Sequence, residues 1–139
     1  MLQENERRLV GELFKNLKEP VKLVNFTQEL ECQSCRENRQ LLKEVSELSD
    51  KINLEVYNFQ LDKEKVSQYG VDKIPATIIE GDKDYKIRYY GMITGYEFAT
   101  LLQDIADVSK RESGLSQKTK DQLKKIEQKI HLQVFTTPT

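Results

Sequence analysis

The sequence predicts an α/β fold: a central mixed four-stranded sheet flanked by helices, with an extra N-terminal helix and a C-terminal connecting helix. Three observations carry this. An apolar strand (VKLVNF, residues 21–26), an amphipathic helix and a second strand (INLEVYNF, 52–59) follow in direct succession, the order that gives a parallel pair. The strands PATIIE and YKIRYY are separated only by Gly81-Asp82-Lys83-Asp84, a hairpin turn, and so give an antiparallel pair. Segments of helical period lie before, between and after these strands.

Taken in order, Leu9, Val10, Leu13, Phe14 and Leu17 share one face of a helix over roughly 5–18. Glu19-Pro20 ends it, because proline disfavours a helical residue before it. After the first strand, the polar stretch TQELE leads to the cysteines, and Cys35, Leu41, Leu42, Val45 and Leu48 mark a helix over about 33–48. In the second strand Ile52, Leu54 and Val56 alternate with polar residues. A short helix near DKEKVSQY ends at Gly70, a left-handed cap. Gly91 closes the hairpin, and Phe98, Leu101, Leu102, Ile105 and Val108 mark the last helix of the unit. Beyond Ser113-Gly114 a connecting helix carries Leu115, Leu123, Ile126 and Ile130 on one side. LQVFT (132–136) then echoes LVNFT (23–27) and reads as the first strand of another unit.

Composition excludes several classes. The 22 basic residues nearly balance the 23 acidic ones, whereas nucleic-acid binding leaves a basic excess. No apolar run approaches the ~20 residues of a membrane helix, and MLQENERRLV lacks the apolar core of a signal peptide. Two cysteines do not make the disulfide scaffold of a small secreted domain. A cytoplasmic protein with neither nucleic-acid nor membrane partners is the expectation.

Both cysteines fall in ECQSC, residues 31–35. Three readings compete. As a redox couple, Cys32 would sit in the first helical turn, where unpaired N–H groups and the helix dipole favour a thiolate. Cys35, deeper on the apolar stripe, would stay protonated until it attacks a mixed disulfide formed at Cys32. A zinc site needs four ligands, and His131, nearly a hundred residues away, is the single histidine, so a second chain would have to contribute. Alternatively, the pair is merely structural. Its position favours chemistry, because the carboxyl edge of an α/β sheet is where ligands bind.

With CQSC at this strand-to-helix turn and YGVDKIPATII later, the sequence resembles the thioredoxin-like superfamily, and within it the glutaredoxin-like protein disulfide oxidoreductases. These carry two thioredoxin-fold units in tandem, and the resemblance covers the whole chain, including the EGDKDYKIRYYG hairpin. It implies a thioredoxin-like unit over 1–112, and over 113–139 the connecting helix and first strand of a second unit. TTPT-like segments directly precede the second CxxC motif in that family, so the chain would stop just short of it. It further implies Cys32 as the attacking thiol and Cys35 as the resolving one. Ile74-Pro75 matches the cis-proline dipeptide; the Ile74 backbone would pair with an extended substrate, and Pro75 would keep other groups from crowding the sulfurs.

Departures from the family of thioredoxins proper matter. Glu31 replaces the tryptophan before the first cysteine, and an acid there opposes a thiolate. The buried aspartate of the first strand has Asn25 as its nearest counterpart, followed by a loop of different length. Ala76, with Thr77 next, replaces the threonine after the cis-proline. Gln33 and Ser34 would tune the potential by hydrogen bonding. Arg36 and Arg39 are candidates to support the thiolate or are simply solvated. Gly91 and Gly95 read either as rim positions for a partner backbone or as turn glycines. Tyr89 and Tyr90 read as sheet residues.

The expected function is thiol–disulfide exchange on protein disulfides through the Cys32–Cys35 dithiol, with no metal or organic cofactor. The resemblance implies a thioredoxin-reductase-like flavoenzyme and a peroxiredoxin as partners. The alternative is a docking or structural module of a larger two-site oxidoreductase, with zinc-bridged dimerisation as a third reading. The orphan strand at 132–136 would mediate self-association.

Overall fold

A computed structural model describes residues 2–136. The four strands are β1 (Val21–Thr27), β2 (Ile52–Asn58), β3 (Ala76–Glu80) and β4 (Asp84–Tyr90), arranged β2-β1-β3-β4. β1 runs parallel to β2 and antiparallel to β3, and β3 is antiparallel to β4. The helices are α1 (Glu4–Phe14), α2 (Cys35–Ser46), α3 (Lys63–Tyr69), α4 (Tyr96–Lys110) and α5 (Gln117–Leu123).

β1 is central and flanked by neighbours on both sides, which is why it reads as an almost continuous apolar run. Its side chains alternate between two cores. Val21 and Leu23 join Val10, Phe14, Leu42, Val45, Ile79, Leu101 and Ile105 in a core that α1, α2 and α4 cover. Val24 and Phe26 point the other way, with Tyr69, Val71, Ala76 and Ile78, beneath α3. The Phe26 ring meets Tyr69 edge-on, with centroids 5.7 Å apart.

Specific polar contacts fix the helices. Glu44, on α2, accepts from the Leu2 N–H at 2.9 Å and from Gln40 Nε2 at 3.0 Å, with Arg7 Nη1 3.6 Å away, so one carboxylate ties α1 to α2. Those hydrogen bonds, Gln40 first, hold its carboxyl below the usual range. Ser109, fully buried near the end of α4, accepts from the Lys18 and Glu19 N–H groups at 2.8 and 3.0 Å and donates to the Glu19 carbonyl at 2.7 Å. In the hairpin, a Cβ on Gly81 would lie 2.8 Å from Val108 Cγ1, a close approach that only glycine permits without displacement. Gly70 caps α3 with φ 64°, as expected.

Element order, strand pairing and the hairpin follow the sequence-based expectation, but several details differ. α1 ends at Phe14, and Leu17 is buried in the turn that follows. Leu9 and Leu13 are exposed, because only the Val10–Phe14 edge of the helix reaches the core. β2 is an edge strand covered along its start, so the inward alternation fades from buried Ile52 to Val56, which is 43% exposed. α5 stops at Leu123, leaving Ile126 and Ile130 beyond it. The strand expected at 132–136 is not formed: Leu132, Val134 and Phe135 are exposed, and no neighbouring strand supplies a hydrogen-bonding ladder. The remainder of the TTPT segment, 137–139, lies outside the described residues. Among the described residues no helix is long and apolar enough to cross a membrane.

Candidate active site

The carboxyl end of β1 and the amino end of β3 are neighbours, since Phe26 pairs with Ala76. The segment that follows Phe26 leads to the cysteines, and the residue that precedes Ala76 is Pro75. One edge of the sheet therefore gathers both motifs, and the Ile74–Pro75 bond there is cis. Cys32 and Cys35 are joined as a disulfide with Cα atoms 5.4 Å apart. Cys35, the first residue of α2, is fully buried, whereas Cys32 is half-buried.

The helix begins later than the expected residue 33. α2 starts at Cys35 with Ser34 as its cap, so Cys32 precedes the first turn rather than lying within it. The first backbone bond of the helix is Asn38 N–H to Ser34 C=O, which leaves the N–H groups of residues 35–37 without helical acceptors. These sit at the end of α2 nearest Cys32. Ser34 makes no side-chain capping bond, and Gln33 is exposed.

The loop before the cysteines is fixed locally. Arg39 Nη1 meets Glu29 Oε1 at 2.7 Å, and Gln28 Nε2 donates to the Leu30 carbonyl. Arg39 is thus engaged with Glu29, while Arg36 is exposed. Glu31 is exposed with φ 57°, a left-handed conformation that is costly for a residue with a Cβ.

Opposite the cysteines, Pro75 is buried and Ile74 half-buried. The Gly91 N–H donates to the Pro75 carbonyl at 2.9 Å, tying this turn to the end of β4. Gly91 and Gly95 have φ of 95° and 57°, so their turn geometry alone accounts for glycine. Tyr90, paired with Ala76 and 40% exposed, lies beneath Lys73 Nζ at 5.2 Å from the ring centre. Tyr89 faces away, donating to Asp104 Oδ2 at 2.6 Å; burial first, then this bond, pushes its phenol upward. His131 is exposed in the C-terminal stretch, remote in sequence from the cysteines, and the described residues hold no cluster of three or more candidate metal ligands.

The same end of the sheet holds a group of buried neutral polar side chains. Asn25, fully buried, donates from Nδ2 to the Ala76 carbonyl at 3.1 Å, while its Oδ1 accepts no hydrogen bond from the described residues. An amide here cannot take up a proton from Cys35 as a carboxylate would. Thr77, also buried, faces Asn25 across the strand pair and accepts from Asn38 Nδ2 at 3.1 Å. Asn38 was not singled out from the sequence. Its signal was there: it lies three residues after Cys35 and three before Leu41, on the stripe where the helical period calls for an apolar side chain.

Known proteins share this fold. Among solved structures the chain is similar to a protein disulfide oxidoreductase from Aeropyrum pernix K1, with 28% identity and a TM-score of 0.81, over 90% of this chain and 55% of that one. A domain of the alkylhydroperoxide reductase AhpF from Enterococcus faecalis matches at 22% identity with a TM-score of 0.78, over 87% of this chain and 59% of that one. A Fasciola hepatica thioredoxin shares the fold at 16% identity, with a TM-score of 0.54 over 67% of this chain and 88% of the thioredoxin. The chain thus spans little more than half the length of the first two. No curated protein sequence matches it. The thioredoxin domain family matches residues 21–103, more than half of the chain, and the chain belongs to that family.

Proposed function

We propose that this chain exchanges disulfides with polypeptide substrates. The observation that carries the reading is a disulfide between a half-buried and a fully buried cysteine at the end of the sheet that also holds Pro75. In the reduced form the Cys32 thiolate attacks a substrate disulfide, forming a Cys32–substrate bond and releasing one substrate thiolate. Cys35 then loses its proton and attacks Cys32 Sγ, closing the intramolecular disulfide and releasing the second thiolate. Two electrons pass from the dithiol to the substrate; the reverse sequence oxidises a substrate dithiol. The free N–H groups at the start of α2 favour the Cys32 thiolate, and the backbone of half-buried Ile74 offers one edge to an extended substrate. Gln33 and Ser34 act through the loop they form between the sulfurs.

Residues 1–112 form the catalytic unit, and 113–139 lead toward a second unit; the length of the Aeropyrum relative supports this division. Exposed Leu132, Val134 and Phe135 are available to pair with that unit or with a second copy. The likeness to the alkylhydroperoxide reductase supports a peroxiredoxin partner, with a thioredoxin-reductase-like flavoenzyme as electron source. A cytoplasmic setting suits a chain whose two cysteines are both in the site.

The test is equilibration in thiol–disulfide buffers, alkylation of free thiols and mass measurement. A reversible two-electron transition between roughly −180 and −270 mV is the expected result. The docking-module reading, favoured by the extra length of the relatives, requires instead that the pair neither exchanges nor reoxidises.

A further inference from the structure

Asn38 is a fully buried amide, and it uses both ends of its side chain. Nδ2 donates to Thr77 Oγ1 at 3.1 Å, and Oδ1 accepts from the Ile93 N–H at 3.3 Å. One side chain therefore joins three segments that are distant in sequence: the first turn of the helix that begins with Cys35, the strand leaving Pro75, and the loop between β4 and α4. The Gly91 N–H to Pro75 carbonyl bond closes the third side of that triangle, and Asn25 holds Ala76 from beneath.

A leucine would satisfy this position in the helical stripe without the desolvation cost of an amide. Leucine would, however, leave the Ile93 N–H and the Thr77 hydroxyl without this partner, so the amide serves stability as well as alignment. Two directional bonds fix the relative placement of the segments, and a neutral amide does so without placing a charge near the sulfurs.

We propose that Asn38 is a positioning residue for polypeptide substrates: it holds the Ile74 edge and the 91–95 loop in register with Cys32. A substrate strand lying along Ile74 then presents its disulfide to Cys32. The inference rests on the exchange reading given above. It separates two kinds of reactant, because a small alkylating agent needs only the Cys32 sulfur, whereas a polypeptide needs the aligned edge as well.

The experiment compares wild type and Asn38→Ala in reduction of insulin, as a disulfide-bearing polypeptide, with dithiothreitol as the electron donor that regenerates the dithiol, and in alkylation of reduced Cys32 by iodoacetamide. With two hydrogen bonds lost, KM for insulin should rise about tenfold, while kcat and the alkylation rate change less than about twofold. Thr77→Val removes only one of the bonds and should raise KM about threefold; it carries the test alone if Asn38→Ala does not fold. The double variant should be no worse than Asn38→Ala, because Thr77 acts on this contact through Asn38. An unchanged KM, or insulin reduction and alkylation falling in parallel, overturns the proposal. Failure of the wild type to reduce insulin would instead overturn the exchange reading, and it is seen before any variant is compared.

Discussion

The two ends of the sheet are held together by different chemistry. At the carboxyl end of β1, where the chain leads on to the cysteines, the buried polar groups Asn25, Asn38 and Thr77 are all neutral. At the opposite end the fastenings are ionic. Lys22 Nζ meets Glu80 at 3.0 Å and Glu55 at 3.6 Å, and Tyr69 donates its hydroxyl to Glu80 at 3.0 Å. Arg88 forks onto both oxygens of Asp84 at 2.9 and 2.7 Å and also donates to the Tyr69 carbonyl. Burial, then the Glu80 bond, pushes the Tyr69 phenol up to about 12.

The difference has a physical logic. A formal charge in a poorly hydrated environment near a sulfur would change the relative energies of thiol and thiolate, and with them the redox balance. Neutral dipoles fix geometry without that side effect. Away from the sulfurs, ion pairs carry no such penalty. Stability and thiol reactivity should therefore be separable by substitutions at one end or the other.

The largest effect is expected at the far end. Ser109→Ala removes three hydrogen bonds, leaving the Lys18 N–H without its acceptor and the Glu19 N–H with only the Ser109 carbonyl at 3.2 Å, which should cost about 2–3 kcal/mol in urea unfolding. Its redox midpoint should stay that of wild type; a shifted midpoint would break the division between the ends. Next comes acid sensitivity. The Arg88 fork, with smaller help from Lys86, holds the Asp84 carboxyl well below its ordinary value of 3.8. A depressed native value means that the stabilisation is complete above the unfolded value near pH 4 and is lost as pH falls further. Asp84→Asn should lower stability by about 1–2 kcal/mol at pH 7 and flatten the acid limb of the unfolding midpoint against pH.

A smaller effect is expected beside the sulfurs. Glu31→Gln removes the acid adjacent to Cys32 and should speed iodoacetamide alkylation of the reduced protein at pH 6–7 by about twofold, since the carboxylate is exposed and screened. An unchanged rate would show that Glu31 does not influence the Cys32 thiolate. The smallest effect is expected from deleting residues 131–139. Unfolding should remain cooperative and within about 0.5 kcal/mol of wild type, because residues 131–136 are exposed and form no regular structure. Loss of a cooperative transition would show that the tail belongs to the folded unit.

What the sequence could convey depended on how local the cause was. The hairpin was legible because Gly81 and its neighbours separate two strands within a dozen residues. The cysteines and Ile74-Pro75 were legible as motifs because each is a short local pattern, and the fold brings both to one end of the sheet. The start of α2 was misplaced by two residues, because periodicity marks the stripe but not the cap. The strand at 132–136 has strand-forming residues but no partner, and pairing is not a local property. Ser109 was invisible because its partners lie about ninety residues away. Asn38 was visible only as a polar interruption, and its meaning required knowing that Thr77 and Ile93 converge on it.

The Ser109 latch also bears on the order in which the molecule assembles. It joins positions separated by 90 and 91 residues, so the chain must close a very long loop before this contact contributes anything. The β3–β4 hairpin and the β1–α2–β2 unit need far shorter closures and can form ahead of it. A contact absent from the transition state slows unfolding without speeding folding. The latch therefore acts as a kinetic lock: in a chevron plot, Ser109→Ala should lift the unfolding limb and leave the refolding limb where it was.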